Sequence, residues 1–240
     1  MKRIAITAAA TLLLVSGAGV GVGMTGSSAA PAASPTKVVY LTFDDGPTVG
    51  YTDEVLADLK VAGAHATFFQ EGEHFAGNED LMRRLVAAGN QVGTHSWSHP
   101  NFSTTTDKTV VWEQIQKTRW AQIRITGVDS HLFRYPFVQS SSYGDTVLMF
   151  LSLQPVGATV QPQDWMPART DATVINQVMG NVANGSIVIL HDGNEGATRT
   201  GGHPRYLPAL LTQLKAAGYT FNTIGSGQAL PVSAKVKGVG

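Results

Sequence analysis

The sequence contains no cysteine and shows no excess of either charge. Its 17 lysine and arginine residues balance 17 aspartate and glutamate residues, which gives a formal net charge of zero. The lack of cysteine excludes disulfide bonds, thiolate nucleophiles and cysteine-ligated zinc sites. The balanced charge, without any run of like charges, argues against nucleic acid or an anionic membrane surface as the main partner.

The N-terminal residues differ in composition from the rest of the chain. Two basic residues precede an apolar stretch over residues 4–22, and Ala30-Pro31-Ala32 fits the A-x-A pattern of signal-peptide cleavage. We therefore predict a signal peptide over residues 1–32, a linker over 33–37 and a secreted protein that has no stable membrane association after cleavage. An uncleaved membrane anchor is the alternative, because the apolar stretch is long enough to allow one.

Short apolar segments alternate with amphipathic segments over residues 38–225, which we predict to be one domain followed by a tail over 226–240. This alternation, with short connections, predicts an α/β fold with a parallel sheet, either open and doubly wound or closed as a (β/α) barrel. The predicted strands are 38–43, 66–69, 91–93, 132–133, 155–160, 186–190 and 219–224. The predicted helices are 52–60, 80–88, 110–125, 147–151, 173–182 and 207–217.

Polar residues of catalytic type follow five of the predicted strands. Because the carboxyl ends of parallel strands share one face of the fold, where active sites form, we predict that the five segments converge on one site. The residues concerned are Asp44, Asp45, His95, His99, Arg134, Asp164, Trp165 and His191.

His95 and His99 have a spacing that suits a metal site. On a helix, residues four positions apart lie on the same side, so both imidazoles could bind one ion together with Asp45. Three protein ligands with an open fourth position are typical of catalytic zinc. The alternative is a pair of surface histidines around Trp97.

The adjacent carboxylates of Asp44 and Asp45 repel each other, and burial raises that cost unless a cation or a donor compensates. We assign Asp45 to the metal and Asp44 to the role of general base, which accepts a proton from the attacking water. Arg134 could orient Asp44 and keep it ionised. The alternatives are a solvated turn before Gly46-Pro47 and, for Arg134, an ordinary surface ion pair.

His191 follows an apolar segment, so a structural role at the exit of a buried strand is one interpretation. The other is catalytic, because Asp164 could raise the pKa of His191 and keep it protonated as a general acid. Trp165, Leu190 and Phe137 could form an apolar wall for the methyl group of an acyl substrate, or could belong to the core.

Five segments of the chain resemble, in order, the five motifs of the polysaccharide deacetylases, the enzymes with a NodB-homology domain that form carbohydrate esterase family 4. The segments are Thr42-Phe43-Asp44-Asp45-Gly46-Pro47, His95-Ser96-Trp97-Ser98-His99, Arg134-Tyr135-Pro136-Phe137, Asp164-Trp165 and Ile189-Leu190-His191. The resemblance implies a distorted (β/α) barrel and one zinc or cobalt ion. Known members act on chitin, chitooligosaccharides, peptidoglycan or acetylated xylan.

The resemblance also implies a role for each matched residue. It implies that Asp45, His95 and His99 are the metal ligands. It implies that Asp44 is the general base, with Arg134 as its partner, and that His191 is the general acid, tuned by Asp164. The Phe137 N–H would form part of the oxyanion site.

The chain departs from the family pattern at several positions. The third motif usually reads R-P-P-Y-G, whereas Tyr135, Phe137 and Val138 stand at three of its positions here. Gln161 replaces an aspartate in the fourth motif, and Ile189 replaces a leucine in the fifth. None of these changes removes a ligand, the base or the acid, but those in the third motif bear on the shape of the pocket.

We therefore predict a secreted, monomeric, metal-dependent hydrolase of carbon–nitrogen bonds. Its expected substrate is an acetylated polysaccharide or oligosaccharide with N-acetyl groups on β-linked aminosugars. The glycine-rich segment 193–202 favours the chitin type. The alternatives are an O-acetyl esterase on acetylxylan, a peptidoglycan deacetylase and a non-catalytic carbohydrate-binding protein on the same fold.

Overall fold

The computed structural model describes residues 37–193 and 205–225. The predicted signal peptide, the C-terminal tail, and nearly all of the predicted linker and the glycine-rich segment lie outside these ranges. Within them, no helix is both long and apolar enough to cross a membrane.

Strands and helices alternate along the described residues, as the sequence predicts. The strands are β1 (Lys37–Asp44), β2 (Thr67–Gln70), β3 (Gln91–Thr94), β4 (Leu132–Phe133), β5 (Gln154–Pro155), β6 (Ser186–His191) and β7 (Tyr219–Phe221). The helices are α1 (Tyr51–Ala62), α2 (Glu79–Ala87), α3 (Lys108–Thr126), α4 (Ser142–Phe150), α5 (Asp171–Asn181) and α6 (Leu207–Ala216). Two short 3₁₀ turns, Gly72–His74 and Pro136–Val138, complete the connections.

The strands form one parallel sheet in the order β5-β4-β3-β2-β1-β6, and β7 pairs with the first residues of β1. All the pairings are parallel. The sheet is a half-barrel surrounded by helices, which confirms the predicted fold class of a distorted (β/α) barrel.

The predicted strand 155–160 is wrong over most of its length. Only Gln154–Pro155 forms a strand, and the segment then returns to the sheet at a single bridge between Val160 and Val188 of β6. Pro155 lacks an N–H, and the carbonyl oxygens of Val156 and Gly157 accept hydrogen bonds from the Arg134 side chain. These backbone groups therefore cannot all form the hydrogen bonds of a regular strand ladder, and the barrel is distorted at this point.

Alternate residues of each strand face opposite sides of the sheet. On β1, Leu41 and Phe43 belong to the large core cluster that the helices cover, whereas Tyr40 belongs to a second cluster. The register pairs Asp44 with His191 at the carboxyl ends of β1 and β6. The pairing of β1 with β6 thus brings these two polar residues together.

Candidate active site

Arg134 is fully buried and forms an ion pair with Asp44 at the end of β1. Its Nη1 donates to Asp44 Oδ1 over 2.6 Å and to Thr42 Oγ1 over 2.7 Å. The other guanidinium nitrogens donate to the carbonyl oxygens of Val156 and Gly157. Because a buried charge requires a partner and satisfied hydrogen bonds, this arrangement fixes one oxygen of Asp44. Arg134 is therefore not a surface ion pair.

Asp45 begins the turn after β1 in a left-handed conformation, with a φ of 72°. His74 Nδ1 donates to the Asp45 carbonyl oxygen over 3.0 Å. Gly193 lies so close that a Cβ at that position would come within 2.4 Å of Asp45 Cβ. Burial by itself would raise the pKa of Asp45, but interaction with His95 and the charges of three histidines hold that pKa below its ordinary value. The carboxylate is therefore ionised at neutral pH.

His95 and His99 lie in a loop after β3 and not on a helix. Ser96 and His99 have positive φ values of 72° and 52°, which a right-handed helix does not allow. His95 Nδ1 donates to the carbonyl oxygen of Arg134 over 2.8 Å, so its Nε2 is left to face Asp45. The two imidazole centroids are 5.0 Å apart. The loop thus brings the histidines together through a different backbone conformation.

The side chains of Asp45, His95 and His99 fit a divalent metal ion. Each offers one ligand atom, and the three atoms lie within 4.8 Å of one another. Asp45 Oδ1 is 3.3 Å from His95 Nε2 and 3.6 Å from His99 Nε2. This oxygen is buried and has no hydrogen-bond partner among the described residues. Such an atom is costly unless a cation compensates, and carboxylate with imidazole is a typical zinc donor set.

His191 ends β6 and pairs with Asp164. Its Nδ1 donates to Asp164 Oδ1 over 2.8 Å, and its backbone N–H donates to Asp164 Oδ2 over 3.0 Å. The Tyr206 hydroxyl donates to the same Oδ2 over 2.6 Å. Burial lowers the pKa of His191, but the charge and hydrogen bond of Asp164, together with Asp45 and Asp44, raise it to about 10. A cation on Asp45 would offset the effect of that carboxylate and leave the effect of Asp164 in place.

These groups open into a pocket of about 420 Å³. Phe137 and Trp165 line it, as predicted, and remain 58% and 46% exposed, so each presents a ring to solvent. Leu190 does not reach the pocket, because neighbouring strand residues face opposite sides and Leu190 is buried in the core under the helices. The prediction that Leu190 forms the pocket wall is therefore wrong, and Ile189 takes that place.

Two of the third-motif departures, Phe137 and Val138, line this pocket, whereas Tyr135 is buried in a core cluster. Phe137 and Val138 both have a φ of 56°, a conformation that is unusual for any side chain and strained for a β-branched one. Gln161 and Gln163 line the wall and offer amide donors and acceptors. The rim is therefore aromatic and uncharged at these positions.

Two contributors to the site were not predicted. Thr42 holds the Arg134 guanidinium, and its position two residues before Asp44 on β1 is a signal that strand alternation could have supplied. Tyr206 binds Asp164 across 42 residues of sequence, and no local pattern indicates that contact.

Asp192 directly follows β6 and is fully buried. Its carboxylate accepts hydrogen bonds from Thr52 Oγ1 over 2.7 Å and from Gln70 Nε2 over 3.1 Å. Burial raises the pKa of Asp192 to about 7, although both hydrogen bonds lower it. A Cβ at Gly46 would come within 2.5 Å of Asp192 Oδ2, so the residue after Asp45 must be small. Asp192 therefore supports the turn that carries Asp45.

Comparison with known proteins identifies the family. The chain matches the polysaccharide deacetylase family model over residues 32–155, which are 124 of its 240 residues. A peptidoglycan-N-acetylglucosamine deacetylase of Listeria monocytogenes is 34% identical over 194 residues, or 81% of this chain and 39% of that protein. The chain therefore spans about two fifths of that relative's length. A chitooligosaccharide deacetylase of Sinorhizobium fredii is 34% identical over 155 residues, or 65% of this chain and 72% of that protein.

A solved structure shows the same fold. The peptidoglycan deacetylase PdaC from Bacillus subtilis superposes with a TM-score of 0.69 at 29% sequence identity, covering 79% of this chain and 89% of that chain. The family model covers more than half of the sequence, and the resemblance to the polysaccharide deacetylases is confirmed. This chain belongs to the polysaccharide deacetylase family of hydrolases.

Proposed function

We propose that this chain is a metal-dependent deacetylase that hydrolyses N-acetyl groups of a β-linked aminosugar polymer or oligomer of the chitin type. The arrangement of the site supports this proposal. The three candidate metal ligands lie between the Asp44 carboxylate, which Arg134 binds, and the His191 imidazole, which Asp164 binds. Hydrolysis of an acyl group requires a base and an acid on opposite sides of the carbonyl, and these residues match that requirement.

Asp45, His95 and His99 would hold the ion, for which zinc is the preferred metal and cobalt a second choice. A divalent ion in this position, when bound, supplies polarisation of the acetyl carbonyl and a lowered pKa for the attacking water. The protein contributes a fixed donor set, since His95 Nδ1 is tied to the backbone of Arg134 and Asp45 is held by its turn.

Asp44 would accept the proton of the attacking water. Arg134 binds Oδ1 of Asp44, while Oδ2 lies 3.8 Å from His95 Nε2, on the side of the metal ligands. His191 would donate a proton to the departing nitrogen, because its raised pKa keeps it protonated at neutral pH. The ion pair with Arg134 orients Asp44 for the role of the base, and the raised pKa of His191 suits the role of the acid.

The acid supports N-acetyl over O-acetyl substrates. An amine is a poor leaving group unless it is protonated, so hydrolysis of an amide depends strongly on a positioned acid, whereas an alkoxide leaves more readily. The exposed rings of Phe137 and Trp165 offer apolar faces for sugar rings, and Gln161 and Gln163 offer neutral hydrogen-bonding groups for hydroxyls. The named relatives from Listeria and Sinorhizobium act on aminosugar glycans, which agrees with this choice.

We further propose that the protein acts outside the cell as a monomer. The basic and apolar N-terminal residues and the A-x-A sequence at Ala30-Pro31-Ala32 support export. N-terminal sequencing of the protein from culture medium should find a chain that begins within a few residues of Ala33, and size-exclusion chromatography should give the mass of one chain.

Side-by-side measurement of acetate release tests the substrate. Zinc-loaded protein should release acetate fastest from chitooligosaccharides, more slowly from peptidoglycan and slowest from acetylxylan. The Asp44→Asn variant, assayed identically, corrects for spontaneous release. Faster release from peptidoglycan would replace chitin by peptidoglycan as the substrate but keep the N-acetyl assignment. Faster release from acetylxylan would overturn the N-acetyl assignment. No release from any of the three would favour a carbohydrate-binding protein without turnover.

A further inference from the structure

The metal-ligand loop, residues 95–99, carries two candidate ligands but lacks the hydrogen bonds that a helix would supply. Its backbone N–H groups therefore need other acceptors. The N–H of His95 donates to the carbonyl oxygen of Gln70 over 3.0 Å, and the N–H of His99 donates to Ser96 Oγ over 3.1 Å. The N–H groups of Trp97 and Ser98, between the two ligands, turn towards α3.

One side chain of α3 accepts both of these middle N–H groups. Gln114 Oε1 lies 2.8 Å from the Trp97 nitrogen and 2.9 Å from the Ser98 nitrogen. Gln114 Nε2 donates to Ser98 Oγ over 2.8 Å. Because two N–H donors require an acceptor, the orientation of the amide group is settled by its surroundings. A single residue thus makes three hydrogen bonds to the part of the loop that separates His95 from His99.

Backbone hydrogen bonds hold the opposite side of the loop. The carbonyl oxygens of Ser96 and Trp97 accept from the N–H groups of Gly72 and Glu73, over 3.1 Å and 2.9 Å. The Trp97 ring also packs on Gly72, where a Cβ would come within 2.4 Å of the ring. Side-chain truncation leaves those backbone bonds intact, whereas the bonds from Gln114 depend on one side chain.

We propose that Gln114 is a positioning residue of the metal centre, which holds the loop in the conformation that directs both imidazoles at one ion. The proposal rests on the proposed function, since it presupposes that His95 and His99 bind a metal. Ser96 and His99 occupy left-handed conformations, which persist only where surrounding contacts hold them. Without Gln114 the loop can leave these conformations. Binding of the ion must then also order the loop, which lowers the affinity for the metal.

The test compares Gln114→Ala and Gln114→Glu with a matched control, Gln116→Ala. Gln116 is the same residue type on the same helix, two positions along. It lines a surface groove that the Trp97 side chain also borders, but no hydrogen bond among the described residues joins its side chain to the loop. Glutamate keeps an oxygen that accepts both N–H groups, and the Ser98 hydroxyl can rotate to donate to its second oxygen. Zinc dissociation constants are measured by competition with a chromophoric chelator, and thermal unfolding of the metal-free proteins reports on the fold.

We expect Gln114→Ala to bind zinc about 10-fold more weakly than the unaltered protein, at the low end of the effect of residues that orient metal ligands. Gln114→Glu should recover most of the loss, and Gln116→Ala should bind zinc as the unaltered protein does. Unchanged affinity in Gln114→Ala would overturn the proposal, as would equal losses in Gln114→Ala and Gln116→Ala or no recovery in Gln114→Glu. Failure of the unaltered protein to bind zinc would instead refute the proposed function, so the two failures are distinguishable.

Discussion

The candidate site combines two groups of residues that are held in different ways. The strand-end group, Asp44, Arg134 and His191, ends or directly follows β1, β4 and β6, and its position follows from strand register and buried hydrogen bonds. The rim group, His99, Phe137 and Val138, lies in loops, and each of its members has a positive φ between 52° and 56°.

The difference indicates a division of labour. The sheet fixes Asp44 and His191, the groups proposed to move protons, at the paired ends of β1 and β6. The loops fix the candidate ligands His95 and His99 and the pocket rim, in backbone conformations that need side-chain support such as that of Gln114. Substitutions in the strand-end group should therefore affect chemistry and stability, whereas substitutions at the rim should affect metal affinity, substrate choice or local strain.

The largest effect on turnover is expected for His191→Gln. Glutamine cannot donate a proton to the departing amine, so the rate should fall by about 10² to 10⁴, the usual contribution of a positioned acid. Zinc content should not change, because His191 is not among the three candidate ligands. Acetate release from chitooligosaccharides and metal analysis of the same sample measure both quantities. A fall in rate of less than about 10-fold would show that another group acts as the acid.

The largest effect on stability is expected for Arg134→Gln. The substitution leaves the buried Asp44 carboxylate without its partner, which costs about 3–5 kcal/mol in the free energy of unfolding. Arg84→Gln is the matched control, because Arg84 pairs with Asp53 at a similar distance of 2.7 Å but is about half exposed. That surface pair should contribute at most about 1 kcal/mol. Equal losses in the two variants, measured by urea unfolding, would contradict the distinction between buried and exposed pairs.

The pair of His191 with Asp164 predicts a pH dependence of stability in the metal-free protein. The pKa of His191 in the folded protein, about 10, lies above its ordinary value of 6.5, so folding retains a proton that the unfolded chain releases. The stabilisation is complete below pH 6.5 and is lost as the pH rises through 10. His191→Gln should flatten the decline in unfolding free energy between these values. If the unfolding free energy of the unaltered protein and of His191→Gln declined with the same slope, titration of other groups would be the cause of the decline.

The smallest effect is expected at the rim. Val138→Gly relieves a β-branched residue from its left-handed conformation and should stabilise the protein by about 1 kcal/mol, after the entropic cost of glycine. Val110→Gly, within α3, should instead destabilise by about 1 kcal/mol, because glycine is unfavourable in a helix. Thermal unfolding measures both changes. If both substitutions destabilised the protein, the conclusion that Val138 is strained would be contradicted.

The strand-end group was largely predictable from the sequence. Apolar segments that end in polar residues indicate strands, and parallel strands share an edge, so Asp44, Arg134 and His191 were expected to meet. The alternation of strand residues also predicts that Leu190 and His191 face opposite sides, and neglect of that rule produced the wrong assignment of Leu190.

The rim and its supports were less predictable, because they depend on contacts between distant residues. The helical spacing of His95 and His99 predicted the shared ion but not the loop, whose positive φ values are stabilised by Gln114. The expected strand 155–160 fails because Arg134 takes the carbonyl oxygens of Val156 and Gly157. Local pattern does not report such contacts.

The central claim is that the two adjacent aspartates have different roles, with Asp45 as a metal ligand and Asp44 as the base. The most direct test measures zinc content and acetate release in purified Asp44→Asn and Asp45→Asn. We predict that Asp44→Asn keeps its zinc and loses about 10² to 10⁴ in rate. Asp45→Asn should lose both zinc and activity, because an amide oxygen is a weaker ligand than a carboxylate. A zinc-poor Asp44→Asn together with a zinc-replete Asp45→Asn would contradict the assignment, and substantial activity in both would contradict the catalytic account.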